Sequence, residues 1–285
     1  MNLITSLQVD DLVFDNTNFI LVSIKGLETP TTRLSRFPLP GTSGAFVSNA
    51  LYGERAIQIT GVVNAPDGLR STYMANRTTL INNLAYKRDS NNNIVPQLMT
   101  ITLEGGQVLT SEVYVDTPLQ MAFTQDKTDY EDFQISFICP DPLLYSIIET
   151  SGSVNPPIGG GVAIPLAVPA SLAPSSGGSL TIINSGSQVV YPIITLVAPL
   201  TNPYIANLTT GYFISLNKTI SVGDEPVIID CGAQTITQGL NDITGVQTVS
   251  SNFWSIAVGT NNIGFSAAAG AGNCSVAFYP AFLGV

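Results

Sequence analysis

The chain has 285 residues, of which 45% are hydrophobic and only 11% charged, with a net charge of -10 and no histidine. That length allows two cores of ordinary size, while the acidic balance excludes wrapping a nucleic-acid backbone, which needs clustered Lys and Arg. Lack of histidine removes the commonest general base and metal ligand, and a surface so far below the roughly 25% charge of ordinary domains is expected to be buried against other subunits.

The first residues reach Asp10 and Asp11 without a basic stretch, so no secretory signal is expected. The longest weakly polar run, Ile158 to Ala173, is broken by Pro165 and Pro169, so no membrane insertion is expected. Cys139, Cys231 and Cys274 are odd in number and far apart. They read as buried thiols made in a reducing cytoplasm.

In chain order, Val13 to Phe14 and Phe19 to Ile24 read as early strands around the turn cluster Asp15 to Asn18. Thr31 to Arg55 holds Pro38, Pro40, Gly41, Gly44 and Gly53 with little periodicity, and a loop of that length is expected to be ordered by a partner. Ala56 to Val63 alternates cleanly as a strand. Asp67 and Gly68 then open a helix over about 69–88, with Leu69, Tyr73, Leu80 and Leu84 at helical spacing and Ala75, Ile81 and Ala85 widening the stripe. After the turn Asp89 to Asn93 come strands Met99 to Leu103, Val108 to Val115 and Leu119 to Thr124, the first two joined by Glu104 to Gln107.

At the midpoint Phe133, Ile135, Phe137 and Cys139 alternate on one strand face, and Pro140 and Pro142 stop the ladder. Cys139, Pro140, Asp141 and Pro142 thus read as an inter-domain hinge at the end of a domain spanning 1–145. An extended linker or arm over 146–178 follows, in which Ile164 to Pro169 suggests an edge strand. In 179–285 seven short strands are predicted, at Leu180 to Ile183, Tyr191 to Ala198, Tyr212 to Leu216, Val227 to Ile229, Phe253 to Val258, Ile263 to Ser266 and Cys274 to Tyr279. Their spacing is that of a β-sandwich.

The ordered residues Tyr191 to Ile194, Thr201 to Pro203, Asn207 to Gly211, Gly223-Asp224, Ile229-Asp230, Phe253-Trp254 and Gly259 to Ile263 resemble the C-terminal galectin-like domain of siphophage distal tail (Dit) proteins. Arg33 to Phe37, Gly53-Glu54-Arg55, the single helix and Phe133 to Pro142 follow the same family's order, so the resemblance spans nearly the whole chain. It implies a mainly β protein with an N-terminal tail-tube-like β-sandwich or split barrel and a C-terminal galectin-like β-sandwich. It also implies a homo-hexameric ring in the virion, with the tail tube protein above and a tail tip or hub (tail-associated lysin-like) protein below. Tape measure and receptor-binding proteins are further implied partners, and DNA passes the ring without being bound.

Other chemistries are weighed on the same residues. Catalysis would have to rest on Asp224, Glu225 and Asp230, or on Asp126, Asp129, Glu131 and Asp132, and such carboxylates more commonly solvate turns; no enzyme activity is expected. Asp89 to Asn93 opens like a calcium loop, but Ile94 stands where Gly is needed and Thr100 where Glu is needed, so no metal is expected. Gly159-Gly160-Gly161 lacks a following Gly-Lys, so no phosphate cradle or cofactor is expected. The alternative function is a carbohydrate-binding, lectin-like adhesion module in which Trp254 stacks on a sugar. Lys218 is the one basic residue of that half, however, and an aromatic within a strand more commonly belongs to a core.

Overall fold

A computed structural model describes residues 4–47, 50–121, 129–157 and 178–285. The chain divides into two compact units, 1–147 together with 282–285, and 148–281.

The first unit is an antiparallel sheet that bends into two layers. Its path runs Leu12–Phe14, Ile4–Val9, Gln97–Leu103, Val108–Met121, Tyr130–Cys139, Arg55–Asn64 and Phe19–Lys25, with both ends open, so it does not close into a barrel. The long strand Val108–Met121 makes the corner. Its residues 108–113 pair with Gln97–Leu103 and its residues 114–121 pair with Tyr130–Cys139. The register shifts at Val115/Thr117 and Thr117/Gln120, and such irregularities turn a strand from one layer into the next. They also accommodate Pro118, which explains why one continuous strand stands where two were predicted.

The midpoint strand follows its alternation. Phe133, Ile135, Phe137 and Cys139 are all buried, and the strand pairs along its whole length with Arg55–Asn64. Gly61 lies opposite Phe133, and a Cβ there would sit 2.5 Å from the ring, so only glycine lets the aromatic lie flat across the neighbouring strand.

The helix is shorter and narrower than predicted, Arg70–Asn83 rather than about 69–88. It stops because Lys87–Arg88 pair instead with Ile94–Val95 across the Asp89 turn. There the Asp89 carboxylate accepts from the backbone N–H groups of Asn91 and Asn93, both at 2.8 Å. A local Asx turn outcompetes another helical turn. Tyr73, Leu80 and Leu84 face the core as expected, but Leu69, just ahead of the helix, is exposed, and so are Ala75, Ile81 and Ala85, which do not widen the stripe.

The second unit is a two-sheet sandwich. One sheet runs Thr150–Val154, Asn273–Phe278, Ile193–Val197, Val227–Asp230, Thr235–Gln238 and Asn241–Asp242; the other runs Ser179–Asn184, Gly259–Ser266, Tyr204–Asn207 and Tyr212–Ser215. Ile194, Leu196, Ile229 and Val276 of the first and Ile205, Ile214, Ile263 and Phe265 of the second are all buried, as the inner faces of a sandwich are. Part of the stretch read as a linker is therefore a sheet strand, Thr150–Val154, while the edge strand suggested at Ile164 to Pro169 lies outside the described residues.

Phe253 to Val258 is not a strand. Only Ile256 makes an isolated bridge, to Val190, and buried asparagines take up the backbone groups of Ser255 and Ala257. Asn207 Nδ2 donates to the Ser255 carbonyl at 3.0 Å, and Asn261 both donates to the Ala257 carbonyl (2.8 Å) and accepts from its N–H (3.0 Å). Side-chain amides here take the place of a ladder.

Candidate assembly surface

The stretch predicted as a partner-ordered loop is a two-tier β arm. Thr32 and Arg33 pair with Tyr52 and Leu51, and further out Arg36, Phe37 and Pro38 pair with Val47, Phe46 and Ala45. Leu39 N–H bonded to the Gly44 carbonyl (3.2 Å) closes its tip, and Gly53 N–H on the Thr31 carbonyl (2.7 Å) closes its base. Buried Pro30 and Gly53 bound it, and every described residue between them is exposed.

Exposure falls on large apolar groups. Phe37 is 58% exposed and its cross-strand partner Phe46 63%, with Leu34, Leu39, Val47, Leu51 and Tyr52 also facing solvent. A two-stranded ribbon without a covering layer is marginal in water, and a contiguous apolar surface marks an interaction site. Arg33 and Arg36 are the arm's only charged residues, and Phe37 to Gly53 has none. The outer ribbon can therefore be buried without stranding a charge.

A second apolar feature lies beside the helix, a groove of about 340 Å³ lined by Ile81, Leu84, Tyr86, Val115, Leu119 and Met121. Under the same helix, Glu131 is 2% exposed and accepts from the Tyr73 hydroxyl at 2.5 Å and from Arg77 Nε at 3.4 Å. Burial, followed by the bond to Glu131, pushes the Tyr73 phenol up to about 12.

Glu131 and Asp132 are successive residues of one strand and face opposite sides of the sheet. Asp224 accepts from Ser221 N–H, and Asp230 accepts from the N–H groups of Gly232 and Ala233, which makes them turn-forming groups. Asp126 lies outside the described residues. Among the described residues no cluster of three or more His, Cys, Asp or Glu could hold a metal ion. All three cysteines are free and buried, and burial pushes Cys231 and Cys274 up to about 12, far from thiolate reactivity.

The residues read as a hinge sit inside the first unit, whose first segment runs on to Ile147. Cys139 is buried, Asp141 accepts from Leu143 N–H (3.0 Å) and the Tyr145 hydroxyl (2.7 Å), and the Pro142 carbonyl accepts from Arg55 Nε (2.8 Å). Proline rigidity here pins a corner rather than freeing one. Trp254 is 1% exposed and presents no ring face to a sugar; its burial corrects the stacking role. Sequence reasoning missed Arg55, although the Gly53-Glu54-Arg55 signal was visible, because nothing in a sequence marks which carbonyls converge on a guanidinium.

Residues 185–282 match the family described as siphovirus-type tail component, C-terminal domain. The match thus falls on residues 185–281 of the second unit and leaves 148–184 outside it. No curated protein matches the chain significantly. Among solved structures, the chain is similar to the Dit (gp 19.1) protein of phage SPP1, described as a paradigm of hub adsorption apparatus in phages infecting Gram-positive hosts. The two share 13% identity over 97% of this chain and 98% of that one, with a TM-score of 0.66. The phage P2 baseplate in its activated conformation with Ca also aligns, at 11% identity, 95% and 97% coverage and a TM-score of 0.47. The resemblance to distal tail proteins read from the residues is borne out, in the second unit by the family match and over the whole chain by the fold.

Proposed function

We propose that this chain is a structural hub of a siphovirus-type tail, acting by self-assembly in the virion and not by catalysis. Six copies close into a ring that continues the tail tube, with tail tip proteins on its far side and host-adhesion proteins carried on the second unit. The tail-component match of residues 185–282 supports the tail assignment.

The observation that carries assembly is the arm, an apolar ribbon that the rest of its own unit leaves exposed. A ring is a heterologous arrangement in which one patch of a subunit meets a different patch of the next, and closure leaves no free end. The low charge of the chain fits flanks buried between neighbours, and a net negative charge repels passing DNA.

Electron microscopy of the purified protein should show six-fold annuli with outward lobes. Shortening the arm between Phe37 and Phe46 should leave folded single subunits. Rings that persist without the arm tip, or an intact protein that stays single at high concentration, would remove this reading. No observation favours the lectin alternative once Trp254 is buried.

A further inference from the structure

We infer that Arg55 is the positioning residue of the arm, setting its direction by joining both of its stems to the segment that returns after the second unit. This rests on the arm as the assembly surface.

Arg55 is 1% exposed, and its guanidinium is held by four backbone carbonyls from three segments of the first unit. Nε donates to Pro142 (2.8 Å), Nη1 to Gly26 (2.8 Å) and Glu28 (3.1 Å), and Nη2 to Leu283. The planar fork of arginine can serve several directions at once, which a lysine ammonium on a flexible stem does less well. Burial lowers the Arg55 pKa from its ordinary value, opposed by the attraction of the Glu28 carboxylate.

The positions of these acceptors matter more than their number. Gly26 and Glu28 immediately precede the arm, and Arg55 immediately follows it, so one side chain closes the arm's two stems against each other. An exposed ribbon with no packing of its own can take its direction only from its base. Leu283 brings in a third element. Residues 282–285 follow the second unit in sequence yet belong to the first, where Val285 N–H bonds to the Leu27 carbonyl at 3.1 Å. Gly284 lies so close that a Cβ would stand 2.1 Å from the Glu28 oxygen. The return segment is thereby seated against the arm's entrance stem, and a single methyl group would unseat it.

The test uses the full chain with Arg55→Met, Arg55→Lys and Gly284→Ala, and with Leu283→Ala as a control that keeps the accepting carbonyl. Native mass spectrometry reads the ring fraction, and amide hydrogen exchange reads residues 32–52 against the core strand 131–139. Arg55→Met and Gly284→Ala should each speed exchange in the arm by about tenfold or more and deplete rings, with core exchange unchanged. Arg55→Lys should restore part of both, and Leu283→Ala should match the parent protein. Unchanged arm exchange and rings in both Arg55→Met and Gly284→Ala would overturn the inference. So would equal loss of core protection in both, since Arg55 would then serve general stability. If shortening the arm tip abolishes rings but these variants keep them, only the role of Arg55 falls; if the shortened arm keeps rings, the assembly reading falls first.

Discussion

Two β segments of the first unit contain paired aromatics, and they treat them in opposite ways. In Tyr130–Cys139, Phe133 and Phe137 are sealed under a second layer; in the arm, Phe37 and Phe46 face each other across a ribbon and stand in water. Extended geometry and residue type are alike, so neither decides burial. What differs is the covering layer, supplied within the unit for the first segment and absent among the described residues for the second.

Phe137→Ala should cost about 3–5 kcal/mol by opening a cavity where no neighbour can collapse, seen as a large loss in the first unit's thermal stability. A small change would show that the sheet core is loosely packed. Asn261→Ala should cost about 1–3 kcal/mol in the second unit by stranding the Ala257 and Gly259 groups that it satisfies. Denaturant unfolding of the variant measures this, and a neutral result would mean that the Trp254 segment is held by packing alone.

A pH effect comes next. The Tyr73 phenol is raised from 10.0 to about 12 in the folded protein, so the stability it contributes is fully present below pH 10 and is lost as pH climbs towards about 12. Alkaline unfolding curves should show this loss, and Tyr73→Phe should remove that pH dependence. The smallest effect on folding is expected from Phe37→Ala. It should change subunit stability by less than about 0.5 kcal/mol, as exposed positions do, yet reduce the ring fraction in native mass spectrometry. A large destabilisation of the isolated subunit would mean that the arm aromatic serves its own fold, and the contrast between the two segments would vanish.

Much of the fold was legible because strand alternation is a local property. Phe133 to Cys139 and Ala56 to Val63 bury the faces their patterns indicate, and Glu104 to Gln107 makes the predicted hairpin, with Gly105 and Gly106 both at positive φ. The failures lie where tertiary partners override a local pattern. Phe253 to Val258 alternates like a strand, but asparagines from three other segments occupy its backbone groups. The helix stripe ran on to Arg88 on paper, while pairing with Ile94–Val95 claimed Lys87–Arg88. Of the proposed assembly surface, the sequence showed the length and aperiodicity of Thr31 to Arg55 but not that it forms an ordered ribbon.

The sequence alone specified a mainly β, charge-poor, two-unit chain with buried thiols and a run of residues resembling distal tail proteins, because periodicity and composition need no knowledge of what lies across space. Only the tertiary structure decided that Trp254 is core, that Pro142 is pinned, and that residues 283–285 return to Arg55 at the foot of the arm. Those outcomes depend on carbonyls and side chains far apart in the chain converging on one point, and convergence is a property of the folded geometry.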